Sequence, residues 1–244
     1  MSKQGYCKYC GKYTNLVKSH IIPRSFYLDY KNQKYIAINA ENKTQTQRQC
    51  GAYDKEILCE DCDNKIFGEF DKEAHRVLIE KYENYCVEKN SECTLYHLKE
   101  NDFNFKKLRK FFISILWRAS VSKLPEFSNI NLGKYENIAE NIIKDKETNE
   151  ELFNVIIFKI PKNKLTDKVV NLHKIKFCKS IAYKIIMSGF IIITVIKNNI
   201  PKFINSQLHS KFFMTSSNLY IYESEDVYQD ELELLTNFVE RWKN

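Results

Sequence analysis

Residues 5–18, GYCKYCGKYTNLVK, and residues 59–64, CEDCDN, decide what the first part of this chain becomes. Each stretch contains two cysteines separated by two residues, namely Cys7 and Cys10, and Cys59 and Cys62. Two such pairs present four thiolates on tight turns, as a tetrahedral zinc ion requires, and Gly11 can adopt the positive φ of the first turn. A closed four-cysteine site cannot activate water, so the predicted zinc is structural.

The apolar segments and the cysteines indicate a cytoplasmic protein without a membrane partner. No basic start followed by an apolar stretch and a cleavage site is present, so we expect no secretory signal. In a reducing compartment, close cysteine pairs indicate metal ligands before disulfides. The most apolar window, Ile185 to Ile196, is about half the length needed to cross a bilayer. We therefore expect it to be buried core.

Positive charge is concentrated at the N-terminal end. The chain carries a net charge of +7, and residues 1–58 hold ten Lys or Arg against four Asp or Glu. Such a distribution is typical of a module that binds phosphates. A solvated, lysine-rich surface without a partner is the alternative that charge alone leaves open.

A histidine lies between the two cysteine pairs on a segment with strand character. Residues 19–23 read SHIIP, and the paired isoleucines predict a buried strand that Pro23 ends, which places His20 on a defined element. Residues 24–55 are polar and turn-rich, and predict a functional loop. This loop could supply three basic side chains to a phosphate backbone, Arg24, Lys43 and Arg48. After the second cysteine pair, apolar residues at three- and four-residue steps predict an amphipathic helix.

The order of CxxC, SHIIP and CxxC followed by polar residues and a helix resembles the zinc-containing HNH branch of the ββα-metal endonucleases, over about residues 5–85. The resemblance implies that His20 is the general base. It also implies that Asp63, with Asn64 beside it, binds a catalytic divalent cation such as Mg²⁺ or Mn²⁺. The middle position of the family pattern, which helps to hold the fold and the histidine, falls near Asp54.

Two positions depart from the family pattern. Ser19 replaces the acidic residue that usually precedes the catalytic histidine, so that one metal ligand is missing or weakened. Asp63 replaces the usual His or Asn, and a carboxylate is a good ligand for Mg²⁺ or Mn²⁺. The resemblance implies hydrolysis of nucleic-acid phosphodiesters, with DNA as the family's usual substrate and with 5′-phosphate and 3′-hydroxyl products.

We therefore predict an α+β chain in two parts. Residues 1–90 form a small zinc-stapled ββα-metal, treble-clef-like nuclease module, and residues 100–244 form an α+β accessory domain, with the boundary in the polar stretch around residues 88–101. The elements predicted beyond that boundary are helices at Phe105–Ser122, Lys134–Lys146 and Val227–Trp242, and strands at Leu152–Ile160, Val169–Phe177, Phe190–Ile196 and Asn218–Tyr222.

Two other functions remain open at this stage. One is a non-catalytic zinc module that binds nucleic acid or protein, in which His20 is only a packed strand residue. The other is an effector of phage defence or of a mobile element, whose nuclease stays inactive until the second domain meets a regulatory partner or forms a homo-oligomer. The chemically silent second domain motivates this last hypothesis.

Overall fold

The computed structural model describes residues 3–27, 35–39, 44–48, 51–161, 169–197 and 211–224, with the backbone alone at 35–39, 44–48 and 170–171. These residues form a mixed α/β fold. Its strands are β1 (Lys3–Tyr6), β2 (Tyr13–Leu16), β3 (Ser19–His20), β4 (Tyr35–Asn39), β5 (Thr44–Arg48), β6 (Tyr53–Asp54), β7 (Cys86–Lys89), β8 (Cys93–Lys99), β9 (Leu152–Lys159), β10 (Val169–Phe177), β11 (Ser180–Met187), β12 (Phe190–Lys197) and β13 (Asn218–Ser224).

Among the described residues, three longer helical segments accompany these strands, besides two short 3-10 turns at Arg24–Phe26 and Pro125–Phe127. The first begins at the second cysteine pair, as predicted, and continues through a π-helical turn (Cys62–Phe67), α1 (Gly68–His75), a second π-helical stretch (Arg76–Lys81) and a 3-10 turn (Tyr82–Tyr85). The others are α2 (Phe105–Val121) and α3 (Tyr135–Ile143). Asn104 caps α2, because its side chain accepts a hydrogen bond from the backbone N–H of Lys107. No helix among the described residues is both long and apolar enough to cross a membrane.

A nine-stranded sheet forms the centre of the described structure, in the order β5-β4-β10-β11-β12-β9-β13-β8-β7. Neighbouring strands are antiparallel except for the β4–β10 and β9–β13 pairs. Every residue of β9 is buried, and successive side chains alternate between two clusters. Val155 and Ile157 pack with α2 and α3 in the larger cluster, whereas Ile156 and Phe158 pack with Phe212 on the other face. The sheet is therefore covered on both faces around β9.

The strands predicted beyond residue 150 are confirmed to within a few residues, but β11 was not predicted. The window Ile185–Ile196, expected as one piece of buried core, contains the end of β11, a tight turn and β12. Ser188 and Gly189 form that turn with φ of 51° and 71°, and Met187 pairs with Phe190. Positive φ at both central residues defines the turn that joins twisted strands most favourably.

The predicted loop and the predicted boundary segment both contain hairpin strands. Residues 24–55 contain β4 and β5, which join the edge of the large sheet, so the prediction of a continuous loop was wrong there. The polar stretch around 88–101 contains most of the β7–β8 hairpin, whose turn is closed by Asn90 Oδ1 accepting the backbone N–H groups of Glu92 and Cys93. The segment chosen as the domain boundary is therefore part of the sheet.

The larger apolar cluster includes side chains from both predicted parts of the chain, such as Cys7, Leu16, Trp117 and Ile157. The division at residues 90 and 100 remains a prediction. The helix predicted at Val227–Trp242 lies outside the described residues.

Candidate metal and nuclease site

The first cysteine pair lies in the turn between β1 and β2. The backbone N–H of Cys7 donates to the carbonyl of Lys12 at 2.9 Å, and that of Gly11 donates to the carbonyl of Cys7 at 2.8 Å. Gly11 has φ of 74°, a left-handed conformation that favours glycine. The turn brings the thiols of Cys7 and Cys10 together.

The second pair lies where the first helical segment begins. Cys59 forms an isolated antiparallel bridge with Leu16 of β2, and its backbone N–H donates to the sulfur of Cys7 at 3.4 Å. Cys62 starts the helix, and the N–H of Asp63 donates to the carbonyl of Cys59 at 2.9 Å. The hairpin and the helix start are thus held against each other by the two pairs.

The four sulfur atoms have the spacing of a metal site. They lie within 4.8 Å of one another, and the Cys10 and Cys59 sulfurs are 3.9 Å apart. A tetrahedral zinc with bonds of about 2.3 Å separates its sulfur ligands by about 3.8 Å. Burial raises the pKa of Cys7 and Cys62, and a bound cation would have the opposite effect. The four cysteines could therefore hold a metal ion such as zinc.

His20 lies on a short antiparallel pair of strands next to this cluster. β3 pairs with β6, with Ser19 opposite Asp54 and His20 opposite Tyr53. The half-buried imidazole meets the Tyr53 ring edge-on, with centroids 5.8 Å apart. The Lys18 ammonium lies 5.3 Å from the centre of the same tyrosine ring. A histidine, a tyrosine and a lysine therefore share one small surface.

Ser19 links the histidine strand to the start of the helix. Its hydroxyl, which is fully buried, donates to Asp63 Oδ1 at 2.6 Å. The residue that replaces the family's acid thus orients the predicted metal ligand. Asn64 is exposed. Within the described residues, the four cysteines are the one group of three or more potential metal-ligating side chains, so the predicted catalytic cation has no preformed site of that kind.

Asp54 is buried and its carboxylate is used in hydrogen bonds. Oδ1 accepts the backbone N–H of Glu56 at 2.8 Å. Oδ2 accepts the Ser122 hydroxyl at 2.7 Å and the backbone N–H of Lys123 at 3.1 Å. Asp54 thereby ties β6 to the residues that follow α2. This geometry fits the fold-holding role that the resemblance gives to the middle position.

Arg118 of α2 is a site residue that no sequence motif identifies. Its side chain is 1% exposed, and its NH1 group donates to the backbone carbonyl of His20 at 2.7 Å. NH2 lies 3.5 Å from Asp71 Oδ1 and 3.3 Å from Ser114 Oγ, and the guanidinium packs over the Phe67 ring. A buried arginine therefore connects the histidine strand, the first helical segment and α2.

Asp71 lies on α1, eight residues beyond Asp63. Burial raises the pKa of Asp71 to about 6 against the attraction of Arg118, and the negative charge of Asp63 contributes to the increase. Its buried Oδ1 lies 3.5 Å from Arg118 NH2, which is a long contact for an ion pair. Carboxylates with a raised pKa beside a charged partner often mark functional sites. Asp71 belongs to neither cysteine pair and to no position of the motif, so sequence reasoning missed it.

The three predicted phosphate-contacting residues have different outcomes. Arg24 is exposed in a 3-10 turn, Arg24–Phe26, just after the histidine strand. Lys43 lies outside the described residues, and Arg48 is described only by its backbone, at the end of β5. Comparisons of this chain with protein-family models, with curated proteins and with solved structures found no match.

Proposed function

We propose that this chain is an HNH-type, metal-dependent endonuclease that hydrolyses nucleic-acid phosphodiesters, with DNA as the substrate. One observation carries the proposal: the strand that bears His20 is bonded through Ser19 to Asp63, the first residue after the last cysteine. Strands β3 and β6 followed by the helix at Cys62 have the order of a ββα unit. The cysteine turn and the helix start support a zinc-stapled, treble-clef-like module.

His20 is the general base in this proposal. A neutral imidazole accepts a proton from the water that attacks phosphorus, and this role needs a fixed ring rather than a mobile one. The contact with Tyr53 holds the ring from one side, and the bond from Arg118 to the His20 carbonyl fixes the backbone. Arg118 acts through His20 and is therefore a positioning residue.

Asp63 and Asn64 are the residues that would hold a catalytic Mg²⁺ or Mn²⁺. Carboxylate and amide oxygens are ligands that these cations prefer. Ser19 uses one carboxylate oxygen of Asp63, which fixes the direction of the other. A bound cation would supply charge to offset that of the scissile phosphate.

Basic residues supply the contacts to the rest of the backbone. Lys18 lies beside Tyr53 on the His20 surface, and Arg24 follows a few residues later in an exposed turn. Contacts of this kind position a nucleic acid without reading its sequence, and they weaken as salt increases.

A non-catalytic zinc module remains the second candidate. The observation in its favour is that, among the described residues, Asp63 belongs to no group of three or more His, Cys, Asp or Glu side chains that could hold a metal ion. Under this reading the Ser19–Asp63 bond only fastens the strand to the helix, and the basic surface binds nucleic acid without cutting it.

Plasmid cleavage separates the two candidates. The purified protein is incubated with supercoiled plasmid at low salt, with Mg²⁺ or Mn²⁺, beside the His20→Ala variant and a chelator control. His75→Ala is the matched control, because His75 is also half-buried and its Nδ1 lies 3.1 Å from Glu80. We expect nicking by the wild type and by His75→Ala but not by His20→Ala, with equal zinc content in all three. Equal cutting by His20→Ala, or no cutting by any zinc-loaded protein, would contradict the proposal.

A further inference from the structure

The β1–β2 hairpin presents an aromatic and polar face to solvent. In its register Gln4 is opposite Asn15 and Tyr6 is opposite Tyr13. These four residues are exposed, whereas Gly5, Thr14 and Leu16 at alternate positions are partly or fully buried. We call this set of four residues the outward hairpin face.

The two tyrosines on this face are unusually exposed. Tyr6 is 70% exposed and Tyr13 is 61% exposed, the highest values among the exposed large apolar side chains described. Their rings meet edge to face, with centroids 5.1 Å apart and an angle of 67°. A cross-strand aromatic pair stabilises a hairpin, but one edge-to-face contact leaves further ring faces open to solvent.

The charge around these rings is positive. Residues 1–27 contain five Lys or Arg and no Asp or Glu. Lys8 and Lys12 are exposed in the turn that the two tyrosines flank. The acidic side chains Glu56 and Asp61 of the same region each form ion pairs with lysines. An aromatic pair in a basic setting complements a polyanion that carries flat bases.

We propose that the outward hairpin face binds single-stranded nucleic acid, with unpaired bases stacking on Tyr6 and Tyr13 while Lys8 and Lys12 contact phosphates. A duplex keeps the faces of its bases inside its own stack, so open tyrosine faces can serve only unpaired bases. The exposed amides of Gln4 and Asn15 can donate to base edges or to the backbone. This inference rests on the proposed nuclease function and narrows its substrate to nucleic acid with an unpaired region.

Fluorescence anisotropy tests the inference with the full-length, zinc-loaded protein. The probes are a labelled single-stranded oligothymidylate and a labelled duplex of equal length, without Mg²⁺ or Mn²⁺ so that nothing is cut. The Tyr6→Ala/Tyr13→Ala variant should bind the single strand about ten-fold more weakly or worse, because stacking on an aromatic ring contributes strongly to the binding of each base. Its affinity for the duplex should change much less.

Three further variants show which property of this face the binding depends on. Tyr6→Phe/Tyr13→Phe keeps the rings and should retain the single-strand affinity to within about three-fold. Val87→Ala/Ile181→Ala removes exposed apolar side chains elsewhere, at positions that are 58% and 47% exposed, and should bind like the wild type. Lys8→Ala/Lys12→Ala should weaken both probes and reduce the salt dependence of binding, because fewer counterions are released.

Several results would overturn the inference. Unchanged single-strand affinity of the Tyr-to-Ala variant would do so, as would an equal loss for single strand and duplex. Light scattering that shows a dimer of the wild type and a monomer of the same variant would assign the face to a second copy of the chain. Because cutting is not measured, the nuclease proposal can fail while this inference holds. The inference alone would be refuted if plasmid cutting is lost in His20→Ala while the Tyr6→Ala/Tyr13→Ala variant still binds the single strand like the wild type.

Discussion

Replacing Asp54 tests whether this carboxylate holds the fold or takes part in the chemistry. Its side chain is 5% exposed and accepts three hydrogen bonds, from the Glu56 N–H, the Ser122 hydroxyl and the Lys123 N–H. A hydrogen bond to a charged group is worth about 1.5–3 kcal/mol. Three such bonds give a ceiling of about 9 kcal/mol, which water reduces because Lys123 is exposed. We expect Asp54→Ala to lower the free energy of unfolding by about 3–4 kcal/mol.

The conservative variant separates charge from shape. Asp54→Asn keeps the size of the side chain and one acceptor oxygen but turns an amide N–H₂ toward one of the donors, so we expect a loss of about 1–2 kcal/mol. The assay is urea unfolding of zinc-saturated protein followed by circular dichroism. Asp61→Ala is the control, because this aspartate is 76% exposed and pairs with Lys65 on the surface. Its stability should change by less than about 0.5 kcal/mol.

Stability and plasmid cutting together decide the role of Asp54. If it is structural, Asp54→Asn should cut near the wild-type rate at temperatures where it is folded. A loss of less than about 1 kcal/mol for Asp54→Ala would refute the hydrogen-bond argument. A folded Asp54→Asn that no longer cuts would show that the carboxylate acts on substrate or cation.

Four further predictions concern the same region. Arg118→Lys keeps the charge but loses the planar fork that reaches both the His20 carbonyl and Ser114, so the cutting rate should fall about ten-fold at unchanged zinc content; an unchanged rate would refute the positioning role. Burial raises the pKa of Asp71 to about 6, so ionisation of this carboxyl opposes folding. The stability that the protonated carboxyl contributes is complete below about pH 4 and is lost as the pH rises through 6. Relative to the wild type, Asp71→Asn should therefore gain up to about 3 kcal/mol between about pH 4 and 7 in urea unfolding, and a parallel pH dependence of the two proteins would contradict this. Replacing Cys62 with serine should abolish stoichiometric zinc and lower the melting temperature, measured by metal analysis and calorimetry, whereas full zinc retention would argue against the four-cysteine site. Residues 1–90 alone should not cut plasmid, since they lack Arg118 and the contacts to Asp54; robust cutting would instead support a module that the rest of the chain restrains.

The four-cysteine cluster could be predicted from the sequence because the spacing of its cysteines is a local property. Two residues between cysteines fit one tight turn, and the fold brings all four sulfurs together. The first helical segment and α2 were likewise predictable from apolar residues at helical steps. The π-helical turns were not, because the same apolar spacing is compatible with an α-helix.

The missed strands show where local signals fail. Ser188-Gly189 is a recognisable turn pair, and it could have divided the apolar window into two strands. The preceding turn has Cys178 and Lys179 at φ of 45° and 69°, and neither residue type announces a left-handed conformation. The β4–β5 hairpin lies in a polar stretch whose pairing partner, β10, is more than a hundred residues away. Pairing at that distance leaves little trace in a single sequence.

The serine before the histidine shows how a site can depart from a motif without losing its order. Ser19 stands where the motif usually has an acidic metal ligand, and a hydroxyl is a poor substitute for a carboxylate on a divalent cation. In the structure its buried hydroxyl donates to Asp63, so the same position orients a carboxylate that the helix start supplies. Arg118 completes the arrangement from α2 by holding the carbonyl of the next residue, His20. The candidate catalytic strand is thus fixed by one contact within the motif and one from outside it, and only the first involves residues that the motif could identify.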